Sequence, residues 1–490
     1  MSNPIRRLAS QTAVYGLSSM VGRLLNYLLT PLYTYAFAPE SYGVVVELYT
    51  YTSFLAVLLT YGMETAYFRF MNQHPEPGDV FTTAARSLLV STLLFVALAL
   101  HCVPNLASAL GYQQHPEYLH WFIGIIALDT LCTLPFARLR QEQKPLTFAL
   151  LRLGNIGLNV LLNLFFIKWA PSITDGNATW WYNPNMGVGY IFLSNLIASA
   201  ATTLCFLPMA LRKTGHWNPA LLKTMLGYAW PLLLAGLAGM INETLDRVLL
   251  KFLLPAGSNA MAQLGIYGAC YKIAIILTIF IQTYRYAAEP FFFGHARETN
   301  SRQLYAKTMQ IFVAVCVFIM LCTTLLMPVV EQFIGQSYRV GLSVVPILLL
   351  ANACLGIYYN LSIWYKLSGK TRYGAYLTGI GALVTLVLNA LLIPRMGYMG
   401  AAWATLACYA TIMVVSFVWG QKHFPVPYQM GRLGTYALAM MLLYGMGNFI
   451  LSHLPTPIAL ALNAGLCMAF AGFAWKLEKA GMQGMVQVNK

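Results

Sequence analysis

Charge is scarce in this 490-residue chain: Asp, Glu, Lys and Arg make up 9% of it, against roughly 25% in an ordinary soluble domain. Metal chemistry has no footing either. The eight histidines are scattered with no HExxH, and the nine cysteines lie in or beside apolar runs with no CxxC. Neither a zinc framework nor a disulfide scaffold is expected, and no metal or other cofactor is implied. No cleavable leader is evident, because "MSNPIRRLASQTAVYGLSSM" runs from Arg6 and Arg7 directly into a long apolar segment. The loops are too short to house an extramembrane catalytic domain, so the chain reads as a non-enzyme. A net charge of +15 would suit a nucleic-acid partner if a soluble basic domain carried it. Lys and Arg instead form short clusters between apolar runs, and no nucleic acid is expected.

What the chain does have is hydrophobic length: 58% of it is hydrophobic and its mean hydropathy is +0.62. The apolar runs are continuous and often exceed about 20 residues, which fits membrane helices and not the alternating strands of a barrel. Breaks at Pro, Gly and charge clusters give fourteen spans, near 9–37, 42–70, 81–103, 119–139, 146–168, 187–211 and 221–254, then 263–294, 304–327, 341–366, 373–394, 398–420, 431–452 and 457–476. The expected fold class is therefore an all-α polytopic membrane protein. Loops assigned to the cytoplasm, with Arg69, Arg138, Arg140, Lys144 and Lys366 among them, hold about five times as many Lys and Arg as the opposite loops. That bias places both termini in the cytoplasm. The longest outer loop, 170–187, carries Trp180, Trp181 and Tyr182, which suit a membrane interface.

The chain also repeats itself. Residues 144–167, "KPLTFALLRLGNIGLNVLLNLFFI", align without gaps on 370–393, "KTRYGAYLTGIGALVTLVLNALLI", so that Lys144 meets Lys370, Leu162 meets Leu388, Asn163 meets Asn389 and Ile167 meets Ile393. A glycine-bearing turn follows each, and "SYGVVVELY" (41–49) resembles "QLGIYGACY" (263–271). Two pseudo-symmetric six-helix lobes follow, 1–215 and 216–425, with two further helices and a cytoplasmic tail in 426–490. An even number of crossings per repeat gives both lobes the same orientation, the arrangement of an alternating-access transporter.

Within the spans, charge concentrates on the first two helices of each repeat. The segment "INETLDRVLLKF" (241–252) places Glu243, Asp246, Arg247 and Lys251 on one side of a helix. Arg23, Glu64 and Arg69 belong to the first repeat, and Lys272, Arg285 and Glu289 to the second. A charge at the bilayer centre costs at least ~2.5–3.5 kcal/mol on insertion scales, so these groups face protein or water. Salt-bridged helix contacts such as Glu243–Arg247 are the plainer reading. The distribution favours a hydrated cationic cavity in which Arg23, Arg69, Arg247, Lys272 and Arg285 would hold a phosphate or pyrophosphate group. Glu64, Glu243, Asp246 and Glu289 would tune it or couple an ion, with Asp129 a lesser candidate.

Three stretches carry a resemblance. "LDRVLLKFLLPAG…LGIYGACYKIA" (245–274), "YGLSSMVGRLLNYLLTPLYTYAFAPESYG" (15–43) and "LNALLIPRMGYMGAAWAT" (388–405) are similar to polysaccharide-biosynthesis flippases, in the superfamily of lipid II flippases and multidrug exporters. The resemblance implies a V-shaped pair of lobes in the bacterial cytoplasmic (inner) membrane. It also implies a polyprenyl-pyrophosphate-linked oligosaccharide as substrate: the repeat unit of O-antigen, capsule or exopolysaccharide. A polysaccharide polymerase and glycosyltransferases would be its partners beside membrane lipids, and the last two helices would hold the lipid tail. Two departures matter. "GRLLNYLLT" (22–30) keeps Arg23 but lacks the second arginine usual in lipid II flippases. The sodium set of some of those flippases would fall on Asp246, Thr385, Asn389 and Thr405, with Asn389 where a carboxylate is expected. A lipid II-type flippase and a cation-coupled multidrug exporter remain the alternatives.

Overall fold

The computed structural model describes residues 21–22, 24–211, 215–255, 257–296 and 300–488. Thirteen of its helices are long and apolar enough to cross a membrane, and no strand occurs among the described residues. They correspond one for one to the second through fourteenth spans of the sequence reading. With α1 as the described helical stretch 24–36, they are α2 (Pro39–Met71, interrupted at Tyr61–Gly62), α3 (Pro77–Leu110), α4 (Glu117–Gln141), α5 (Pro145–Ile173), α6 (Gly189–Ala210) and α7 (Pro219–Leu253). The remainder are α8 (Ala260–Gly294), α9 (Ser301–Leu325), α10 (Val344–Leu367), α11 (Arg372–Met396), α12 (Tyr398–His423), α13 (Met430–His453) and α14 (Thr456–Lys479).

Local chemistry sets the helix starts. Proline stands in the first turn of α2, α3 and α5, where its missing N–H costs no hydrogen bond and its fixed φ suits the helix. The interior prolines Pro104, Pro135 and Pro231 each remove one backbone bond from a long span.

The described chain forms two compact units. The first runs to Lys251 and includes Asn259–Gly265; the second comprises Phe252–Ser258 and Ile266 onward. Thus α7, which opens the second sequence repeat, packs with the first unit. Its Leu221, Met225 and Ala229 are buried against Met63, Ala66 and Tyr67 of α2, Val80 and Ala84 of α3, and Ala137 of α4. Also within this unit, the start of α2 crosses 260–265 closely. A Cβ on Gly43 would lie 2.1 Å from the Met261 carbonyl oxygen, and one on Gly265 would lie 2.0 Å from that of Pro39. Backbones can approach this closely only where glycine leaves the space.

In the second unit α9 and α10 are central, with 67% of the most apolar stretch of each buried, whereas α13 has 11%. The outer faces of α13 and α14 show Leu438, Met441, Leu442, Phe449, Met468 and Trp475, as helices facing lipid do. Polar clasps hold both helices to α9. At one end the Lys307 ammonium pairs with the Glu478 carboxylate, whose other oxygen accepts the Tyr436 hydroxyl at 2.6 Å. At the other, the Asn463 amide donates to the Leu325 carbonyl at 2.9 Å. Because lipid is as apolar as leucine, such bonds and close packing hold these helices where the hydrophobic effect does not.

Lys307→Met leaves Glu478 buried without its cation and should destabilise the protein by about 3–5 kcal/mol, whereas Lys307→Met with Glu478→Leu should recover most of the loss. Thermal unfolding of the detergent-solubilised variants measures both. A double variant as unstable as the single one contradicts the clasp.

Candidate functional site

In the second unit, the end of the bundle where α8 and α10 finish gathers charge. Arg285 and Glu289 stand one turn apart on α8, 3.7 Å between nitrogen and oxygen. Lys366 of α10 donates to the same Glu289 oxygen at 2.6 Å. The Arg285 guanidinium lies 3.9 Å from the centre of the Tyr359 ring, an attraction of about 0.5–1 kcal/mol where water reaches it. Tyr284 donates to Asn360 and so joins the two helices one residue away. Two cations share one carboxylate here, and all three side chains are between 28% and 43% exposed. An anion of higher charge could displace Glu289 and take both donors. The sequence reading named Arg285 and Glu289 but left Lys366 in a loop tally; its place in this cluster depends on how α8 packs on α10.

The first unit carries its basic cluster where α2 and α4 finish. Glu64 forms an ion pair with Arg140, whose guanidinium also faces the Phe68 ring at 5.1 Å. Arg69 lies instead over Tyr228 of α7, 4.2 Å from the ring centre. Just beyond α4, Glu142 accepts from Arg138 and from Lys144, each at 2.6 Å. Burial pushes the Glu142 carboxyl up, but the hydrogen bonds and charges of Lys144 and Arg138 outweigh it and hold the group below its ordinary range.

The charged segment of α7 divides its work. Lys251 turns to Glu47 of α2, 2.7 Å away and 1% exposed. It also donates to the Leu110 carbonyl at 2.8 Å. Tyr51, at 2.8 Å, and Tyr112 donate to the same carboxylate. Lys251 is thereby committed to tying α7 to α2 and to the end of α3. Asp246 is 3% exposed and accepts the Arg247 backbone N–H at 2.8 Å, while Glu243 is exposed and Arg247 half-buried. Lys272 is half-buried on α8. Arg23 lies outside the described residues. Glu47 was missed because, read alone, "SYGVVVELY" marks a repeat and not a charge site; only its spacing from Tyr51, one helical turn, hinted at a partner.

Of the expected cation set, Asp246 belongs to the first unit and Thr385, Asn389 and Thr405 to the second. Within the second, Asn389 donates to the Thr385 carbonyl at 2.8 Å and Thr405 to the Ala401 carbonyl at 3.0 Å. The Thr385 hydroxyl and the Asn389 side-chain oxygen are buried without a hydrogen-bond partner among the described residues. They are neutral oxygens, a weaker ligand set for a hard cation than one holding a carboxylate.

No protein-family model and no curated protein sequence matches the chain. Solved structures do. A lipid II flippase MurJ in an inward closed conformation superposes with a TM-score of 0.72 at 12% identity, over 94% of this chain and 98% of that one. An inward-facing multidrug resistance MATE family transporter of the MOP superfamily gives 0.63 at 15% identity, over 88% and 98%. An outward-facing transporter of the same description gives 0.56 at 16% identity, over 87% and 96%. The chain shares the all-helical fold of these membrane proteins.

Glu289→Gln should strengthen the binding of inorganic pyrophosphate about two- to fivefold by freeing Arg285 and Lys366, since an exposed ion pair is worth about 0.2–1 kcal/mol. Calorimetric titration checks this, and a weaker complex contradicts it. Because its carboxyl is held low, Glu142 adds stability above the ordinary carboxylate range that is lost as pH falls through its lowered value. Glu142→Gln should therefore lose stability at neutral pH and match the parent in strong acid, as melting curves across pH would register.

Proposed function

We propose that the protein is a flippase that carries a polyprenyl-pyrophosphate-linked oligosaccharide across the bacterial cytoplasmic membrane by alternating access. One observation carries the proposal: the likeness to a lipid II flippase structure extends over 94% of this chain. The exporter structures account for nearly all of themselves yet for only 87–88% of this chain. The difference suits a fourteen-helix carrier of a lipid-tailed substrate better than a carrier of small cations. The half-exposed cluster of Arg285, Lys366 and Glu289 supports an anionic headgroup as cargo.

In this reading the basic helix ends lie in the cytoplasm, where the carrier-linked glycan is assembled. Arg23, Arg247, Lys272 and Arg285 take the pyrophosphate, and Arg69 joins them at the entrance. Glycosyltransferases supply the substrate and a polymerase consumes it. An O-antigen, capsule or exopolysaccharide unit is preferred over lipid II because the stretch 22–30 lacks a second arginine. Lipid II itself is the second reading, favoured by the same fold likeness.

Depletion of the protein should make a polyprenyl-pyrophosphate glycan accumulate in a form that a membrane-impermeant glycan-modifying enzyme cannot reach on spheroplasts. Mass spectrometry would give its composition. Arg247→Ala with Arg285→Ala should stop export at unchanged membrane abundance. Full export by that variant removes the pyrophosphate grip, and unchanged sidedness on depletion removes the flippase reading.

A further inference from the structure

One membrane-spanning helix of the first unit is interrupted, and the interruption has a counterpart in the repeat. Within α2 the run of helical bonds lapses at Tyr61 and Gly62, both left-handed, with φ of 34° and 72°. The Tyr61 N–H still closes on the Val57 carbonyl at 3.0 Å, and the helix resumes where the Ala66 N–H meets the Gly62 carbonyl at 3.1 Å. Glycine takes a left-handed φ without cost, but an aromatic residue does not. Something other than local preference therefore keeps Tyr61 there.

The neighbouring helices supply it. The Tyr61 hydroxyl shares a hydrogen bond of 2.6 Å with Ser87 of α3. A Cβ on Gly62 would lie 3.1 Å from the Ala229 carbonyl oxygen and 3.2 Å from the Leu232 Cβ, both on α7. Beyond the lapse, Met63, Ala66 and Tyr67 are buried with Val80 and Ala84 of α3, Ala137 of α4, and Leu221 and Met225 of α7. The lapse thus lies between two well-packed pieces of one span and not at a frayed end.

The second repeat shows the corresponding stretch without the lapse. The register that sets Gly43 on Gly265 carries Tyr61 and Gly62 onto Thr283 and Tyr284 when extended without a gap. Both of those residues stand inside α8, which is continuous there; the Thr283 hydroxyl donates to the Ile279 carbonyl one turn back at 2.8 Å. One position of the repeat therefore holds two backbone conformations in the same chain, broken in the first copy and helical in the second.

We propose that Tyr61–Gly62 is a two-state joint in α2: open, as here, or closed into a continuous helix like that of α8. The open form bears the left-handed φ of Tyr61 and the lost helical bonds, and it gains the Ser87 bond and the fit of Gly62 against α7. The closed form regains the helical bonds and relaxes Tyr61, and it gives up those contacts. Closing turns the stretch 63–71 about the axis of the outer part of α2. Glu64 and Arg69 turn with it, away from Arg140 and from the Tyr228 ring. The state of the joint thus sets how the first unit presents its basic helix ends, whatever the transported molecule is.

Hydrogen–deuterium exchange of the purified full chain in nanodiscs, read by mass spectrometry on peptides covering 58–66, tests the joint. The amides from Gly62 to Thr65 have helical partners only in the closed form. A side chain at a left-handed position disfavours the open form about five- to thirtyfold, so Gly62→Ala should slow exchange of those amides at least about threefold. Tyr61→Val should slow it by a separate route, because a β-branched residue is poorly suited to positive φ and valine cannot bond Ser87. Tyr61→Gly should hold the joint open and cancel the effect of Gly62→Ala in the double variant. A fixed break gives a different result: with no helical form to populate, Gly62→Ala and Tyr61→Val only strain the segment. Exchange is then unchanged or faster, and that result overturns the proposal. Should Gly62→Ala fail to fold against α7, Tyr61→Val alone decides by the same signs.

Discussion

A charge taken into hydrocarbon must be met by another polar group within hydrogen-bond reach, or it cannot stay charged there. This requirement organises the described structure more than apolar burial does, since lipid offers leucine the same surroundings that a neighbouring helix offers. Glu47 draws α2, α7 and the end of α3 to one point because it needs the donors of Tyr51, Tyr112 and Lys251. Glu478 does the same for α9, α13 and α14 through Lys307 and Tyr436. In both cases long side chains from separate helices converge on one carboxylate, which fixes register as well as proximity.

The same requirement separates structural charges from those free to act. Lys251 is spent on Glu47 and on a backbone carbonyl, so a residue that looked like part of a functional cluster holds helices together. Arg285, Glu289 and Lys366 are paired yet half-exposed, and a competing anion can reach them. Among the described residues Arg69 rests on an aromatic face and pairs with no carboxylate, which leaves its hydrogen-bonding fork less committed than that of Arg140.

The spans were legible in the sequence because a bilayer demands unbroken apolar length and loops concentrate the charge between them. The repeat was legible because the alignment of 144–167 on 370–393 needs no gap. Partners were not. Glu64 meets Arg140 across α2 and α4, and Glu289 meets Lys366 across α8 and α10; both pairings depend on the rotation of each helix about its axis, which a span list does not contain. The membership of α7 was hidden for a related reason. The repeat assigns it to the second half, while its leucines and the Lys251–Glu47 pair pack it in the first unit.

The glycine crossing at the start of α2 constrains both repeats at once. The repeat places Gly43 on Gly265 and, in the same register, Pro39 on Met261. Gly43 approaches the Met261 carbonyl, and Gly265 approaches that of Pro39. A residue and its repeat mate therefore make one contact in both directions, which is how an isologous interface between two identical subunits is built. Neither repeat can gain a side chain at this crossing without moving the other.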